Sequence, residues 1–195
     1  LISAATGFLA LSWEIVWMRL YNFTTASRAI AFGTMLGSYL LGLALGSLWS
    51  RKWQAVQHSN LSSGAGWITL ARLIRRANLN AFLVVPIVSW CAVVMWWPWT
   101  LILVIFGAAL LGTVLPLLCH LAIPPDEHAG RRMSGIYLAN ILGSGAGSLL
   151  TGFVLMEYCS LQWLSLLLLF GSEAMVWLLL RQISDVVQTR LMPPM

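Results

Sequence analysis

The chain has 195 residues, of which 59% are hydrophobic and 9% charged, against roughly 25% charged in an ordinary soluble domain. So few charged groups cannot cover a water-facing surface, which excludes a soluble globular protein. The formal charge of +5 sits between apolar blocks rather than along one face or in a basic arm, a topology signal of membrane proteins that argues against nucleic-acid binding.

The apolar residues fall in blocks of about 20, the length that crosses a hydrocarbon core. They predict an all-α, polytopic transmembrane helix bundle of about six spans, forming one domain over residues 1–195. The first span, about residues 2–21, carries Glu14 and Arg19, which a signal-peptide core would not tolerate, so it is read as a retained helix. A short polar turn over 22–28 leads to the second span, about 29–49, and the hydrophilic stretch 51–66 reads as the one flexible loop. Next, Trp67, Leu70, Leu73 and Ile74 share one helical face while Arg72, Arg75 and Arg76 share the other. That pattern fits an interfacial amphipathic helix or an extension of the following span, and the sequence leaves both open.

The third and fourth spans, about 79–97 and 99–123, are separated by a tight Trp97-Pro98-Trp99 turn. Trp96, Trp97 and Trp99 mark a headgroup layer there, since indole prefers the half-wet interface. Pro124 and Pro125 end the fourth span and open a polar loop over 124–132. The fifth and sixth spans cover about 134–156 and 161–180, and the tail after Arg181 is too short to fold alone. Arg51, Lys52, Arg72, Arg75, Arg76, Arg131, Arg132, Arg181 and Arg190 fall on one side of this arrangement, and Arg19 and Arg28 near the other. By the positive-inside rule both termini are cytoplasmic, with the chain in the cell's inner (plasma) membrane.

Two spans carry small residues at four-residue steps. The second has Gly33 and Gly37, then Ser38, Gly42, Gly46 and Ser50; the fifth has Gly135, Ala139, Gly143, Gly147 and Thr151. Such stripes let another backbone approach closely where lipid supplies no hydrophobic drive, so these spans are expected to form the closely packed centre, with Gly107 outside both seams. A short echo between Leu36-Gly37-Ser38 and Leu142-Gly143-Ser144 suggests an inverted three-span repeat, on one tripeptide only.

Ionisable and amide groups at membrane depth face protein or a cavity. Glu14 reads either as part of a small polar binding site or as a helix-locking group, and Arg19 as a side chain reaching the outer headgroups. Tyr137 and Asn140, three apart beside the fifth-span glycines, suggest an interhelical hydrogen bond or a ligand contact. Glu173, near the middle of the sixth span, is expected to face protein as a cation or proton site or as a bonded structural acid. Cys91, Cys119 and Cys159 show no ligand spacing, and His120 and His128 are split by two prolines, so neither metal nor cofactor is expected.

The string from Thr6 through Trp13, Glu14, Trp17 and Arg19 to Leu20, followed by Leu41-Gly42-Leu43-Ala44-Leu45-Gly46-Ser47, resembles the membrane domain of spermidine synthase-like proteins, the fused MFS/spermidine synthase group. Gly112-Thr113-Val114-Leu115-Pro116-Leu117, Gly135 through Tyr137 and Asn140 to Gly143, and the run from Gly147 to Leu155 look like later helices of that domain, so the resemblance covers nearly the whole chain. It implies Glu14, Trp17, Arg19, Tyr137 and Asn140 as motif residues of the membrane part. In that family a cytosolic Rossmann-like aminopropyltransferase domain using decarboxylated S-adenosylmethionine typically follows. No strand with a Gly-rich loop follows Arg181, so the resemblance does not carry the synthase chemistry over.

Two functions remain open at this point. One is a membrane accessory or anchoring subunit, whose partners are the lipid bilayer, other membrane subunits and a separately encoded cytosolic enzyme. The other is a small-molecule or polyamine carrier using Glu14 and Glu173 as counter-charges. With no nucleophile–base pair visible, catalysis by the chain alone is the least supported reading.

Overall fold

A computed structural model describes residues 1–26, 29–56, 65–93 and 97–191, and among them there is helix and no strand. The long helices are α1 (Ile2–Thr24), α2 (Ala29–Val56), α3 (Ala65–Val93), α4 (Leu101–Ala122), α5 (Ala129–Leu149) and α7 (Leu161–Leu191). A 3-10 turn, Trp97–Thr100, leads into α4, and a π-helical segment, Leu150–Leu155, runs from α5 into the single turn α6 (Met156–Tyr158). Arg28, Trp96 and residues 57–64, the middle half of the hydrophilic stretch expected as a loop, lie outside the described residues.

Among the described residues, four helical stretches are long and apolar enough to cross a membrane: Ala29–Lys52, Pro98–Ala122, Ala129–Tyr158 and Leu161–Arg181. The expected count was about six. The other two helices are long, but Glu14 and Arg19 in α1, and Arg72, Arg75, Arg76, Asn78 and Asn80 in α3, lower their apolarity. The arginine-bearing segment is no separate element: it is the first half of the continuous α3, with Leu70, Leu73 and Ile74 buried and Arg72, Arg75 and Arg76 exposed.

These two more polar helices gain most from protein contact. α1 touches each of α2, α3, α4, α5 and α7. On its α3 side, Trp13, Trp17 and Tyr21 recur every four residues and are each at most 1% exposed. Their polar atoms are all satisfied: Trp13 Nε1 donates to Asn78 Oδ1 at 2.9 Å, Trp17 Nε1 to the Ala81 carbonyl at 3.1 Å, and the Tyr21 hydroxyl bonds Thr100. On the α5 side, Ser3 Oγ donates to the Ile136 carbonyl at 2.7 Å and Thr151 Oγ1 to Ser12 Oγ at 2.8 Å. Buried groups in a lipid-facing bundle must bond internally, and α1 does so on two faces.

The opposite surfaces are apolar and open. Ile30, Phe32, Leu40 and Leu41 on α2, Leu138, Ile141 and Leu142 on α5, and Trp163, Phe170 and Trp177 on α7 are all exposed. Patches of that kind suit lipid rather than water, so the fold is compatible with a multi-pass membrane protein.

The glycine seams are two, and they do not pack on each other. α2 lies along α4, and α5 along α1. A Cβ at Gly42 would overlap the Ile105 carbonyl, one at Gly46 the Ala109 carbonyl, one at Gly143 the Ala4 carbonyl and one at Gly147 the Phe8 carbonyl. Gly112 and Gly7 complete the seams from the partner helices, Gly112 against Leu43 and Gly7 against Asn140.

Gly33, Gly37 and Gly135 depart from the expected packing, with no described atom within 4 Å of a Cβ placed there. Helical geometry explains this. The buried stripe of α2 is Ala31, Met35 and Tyr39, continued by the packed Gly42, Gly46 and Ser50. Gly33 and Gly37 stand two residues off that stripe, about 200° around a helix of 3.6 residues per turn. Gly135 is eight residues before Gly143, and each four-residue step drifts about 40°, so it has rotated out of the α1 contact. The Leu-Gly-Ser tripeptides do not occupy equivalent positions, because Gly37 is open and Gly143 packed. Gly107, expected outside the seams, is tightly packed: a Cβ would stand 2.6 Å from Asn80 Oδ1 and 3.1 Å from the Trp17 ring.

Candidate functional site

A cavity of about 300 Å³ lies where the two seams meet α3. α1 contributes Thr6 and Ala10, α2 Tyr39 and Ser47, α3 Asn78, α4 Gly112 and Pro116, and α5 Tyr137, Asn140 and Ser144. Pro116 has no N–H to give the Gly112 carbonyl four residues before it, so the α4 wall carries a backbone acceptor without its helical donor. Most side chains in the wall are already bonded: Thr6 to the Ser3 carbonyl, Ser47 to that of Ala44, Tyr39 to that of Ala10, and Asn78 to Trp13 and the Ile74 carbonyl.

Tyr137, Asn140 and Ser144 are different. They occupy successive turns of one α5 face, and none makes a side-chain hydrogen bond among the described residues. The interhelical hydrogen bond anticipated for Asn140 is therefore not formed. Its amide and the Ser144 hydroxyl stand instead against Gly7, where a Cβ would lie 2.8 Å from each oxygen. A glycine at position 7 leaves room for these groups to stand at the cavity wall.

The remaining predicted site residues are elsewhere. Trp17 is fully buried as a packing and hydrogen-bonding residue, edge-on to Tyr39 with ring centroids 6.2 Å apart. Glu14 is half-buried and has no hydrogen bond or ion pair among the described residues. Arg19 is exposed and its guanidinium lies over the Phe23 ring at 5.0 Å. Glu173 does not turn into the bundle: its carboxylate meets Arg75 Nε at 3.1 Å, with both side chains partly exposed. The extended α3 carries Arg75 alongside α7, so the acid is neutralised at the periphery.

Neither Glu14 nor Glu173 lines the central cavity, and among the described residues no charged side chain does. Its chemistry is that of hydroxyls, amides and apolar wall, suited to a neutral hydrogen-bonding group. Sequence reasoning missed Trp13, Asn78, Tyr39 and Ser144. Two asparagines in one apolar run, Asn78 and Asn80, were the available signal.

No protein-family model matches the chain, no curated protein is significantly similar to it, and no solved structure matches its fold. The likeness to the membrane domain of spermidine synthase-like proteins rests on the residue strings alone.

Proposed function

We propose that the chain is an integral membrane accessory or anchoring subunit, crossing the inner membrane about six times with both termini cytoplasmic and working within a larger complex. The observation that carries this reading is the unused glycine surface. Gly33 and Gly37 on α2 and Gly135 on α5 face open space beside large exposed apolar side chains. In Ala129–Tyr158 only Gly143, Gly147 and Thr151 are buried. Glycine in a membrane helix lets another backbone approach closely, and α2 and α5 hold more of it than their internal contacts use. A separately encoded synthase-like enzyme is one partner consistent with the family resemblance. Mild-detergent purification tests the reading: a stoichiometric partner supports it, and a chain that purifies and functions alone counts against it.

A small-molecule carrier is the second reading, favoured by the central cavity with its unpaired Tyr137, Asn140 and Ser144. A polyamine would find no carboxylate there, since Glu173 is held by Arg75 and Glu14 stands outside the lining. Substrate-dependent flux into liposomes holding the purified chain alone would favour this reading.

A further inference from the structure

A second, larger cavity of about 620 Å³ opens as a trough between α2, α3 and α4. Along α3 its wall runs from Thr69 to Leu83, fourteen residues or about 21 Å at 1.5 Å per residue. The chemistry changes along that length. At the end nearest the α3 N-terminus the α2 and α3 walls carry Ser50, Thr69, Arg72 and Arg76 beside Trp49 and Leu73; farther along α3 come Leu79, Asn80 and Leu83, and α4 lines the trough with Phe106, Leu110, Thr113 and Leu117.

The polar end is electrically unbalanced. Arg72 and Arg76 are exposed and have no ion pair or hydrogen bond among the described residues, unlike Arg75, which holds Glu173. Arg51 and Lys52 follow Ser50 directly and are exposed too. One turn deeper than Arg76, Asn80 also lines the trough; its Oδ1 is buried against Gly107 with no partner among the described residues, and its Nδ2 donates to no described group.

We propose that this trough is a binding site for an anionic phospholipid, a reading that rests on the chain being membrane-embedded. Arg72 and Arg76 bind the headgroup phosphate, the Asn80 amide donates to an ester carbonyl one turn deeper, and an acyl chain lies along Leu83, Phe106 and Leu110. Cationic pockets between membrane helices on the cytoplasmic side are the expected receptors for such headgroups. A guanidinium matches phosphate with paired donors, which a surface attraction to bulk lipid would not require.

The test uses the full chain in nanodiscs of phosphatidylcholine containing a minor fraction of phosphatidylglycerol with the same acyl chains, read by native mass spectrometry after release. The proposal expects phosphatidylglycerol to be retained at least ten-fold over its bulk fraction. The Arg72→Gln/Arg76→Gln pair should lose that enrichment, Arg72→Lys/Arg76→Lys should keep several-fold of it, and Arg131→Gln/Arg132→Gln, outside the trough, should leave it unchanged. Inorganic phosphate at millimolar concentration should not displace the lipid. Equal retention of the two lipids, loss with the control pair, or displacement by phosphate, which would mark a free-anion site, each overturns the proposal. Failure of the chain to enter nanodiscs either with or without phosphatidylglycerol would overturn the membrane reading itself, while entry without lipid selectivity overturns the lipid site alone.

Discussion

Gly143 lies against the backbone of Ala4 so closely that a side chain on the glycine would occupy the position of the Ala4 carbonyl. Gly46 stands in the same relation to Ala109 across the other seam. Because the obstacle in each case is backbone, the helices must separate before anything larger fits. Gly143→Leu and Gly46→Leu should each lower stability by at least about 1–3 kcal/mol, the cost of overpacking. Gly107→Leu should cost as much, since Asn80 and Trp17 fill its surroundings, and Gly37→Leu should cost little. Thermal melts in detergent check this, and equal melting of Gly143→Leu and Gly37→Leu would refute the seam assignment.

Trp13 and Asn78 form one of the buried bonds that tie α1 to α3. Asn78→Leu leaves a fully buried indole N–H without an acceptor, at a cost of about 1–3 kcal/mol. Trp13→Phe leaves the asparagine oxygen short instead, and the double variant should recover about 0.6 kcal/mol, the mean coupling for hydrogen bonds inside membrane bundles. A double-mutant cycle with no coupling would mean that the two side chains act independently.

Glu14 lacks a bonded partner among the described residues, so its carboxylate should contribute nothing to assembly. Glu14→Gln is expected to melt within about 0.5 kcal/mol of the parent, the usual range for a change that removes no contact. A loss above about 1 kcal/mol in the glutamine variant would show that the carboxylate is held by a donor or cation.

The orientation of the helices has its own check. In a background carrying Cys91→Ser, Cys119→Ala and Cys159→Ser, an impermeant thiol reagent added to intact cells should label Ser160→Cys and spare Glu127→Cys. The reverse pattern would invert the topology drawn from the arginine distribution.

Much of the helical plan was legible because apolar run length alone reports a helix that can lie in lipid, and the breaks after Thr24, at residues 97–100 and at 123–128 are marked by polar residues or proline. The packing was legible where stripe and contact coincide, at Gly42, Gly46, Gly143 and Gly147. It failed at Gly33, Gly37 and Gly135 because a four-residue step in sequence does not say which side of the helix faces protein. That choice is set by neighbours such as Ala31, Met35 and Tyr39. The candidate site was half legible: Tyr137 and Asn140 stand out as polar groups in an apolar span. Glu173 is a bonded acid, one of the two readings the sequence left open, but its partner was not legible, because Arg75 belongs to a helix that begins before the expected start of its span.

The central claim is that the open glycine faces receive another protein. Gly37→Leu and Gly135→Leu should fold and melt like the parent, since no described atom lies within 4 Å of either position. The decisive measurement is quantitative co-purification of the full chain and these two variants from native membranes in mild detergent. A stoichiometric partner that accompanies the parent, and whose yield falls at least several-fold with one of the variants while their melting is unchanged, is the predicted result. A parent that purifies without a partner, or a partner retained equally by both variants, would contradict it.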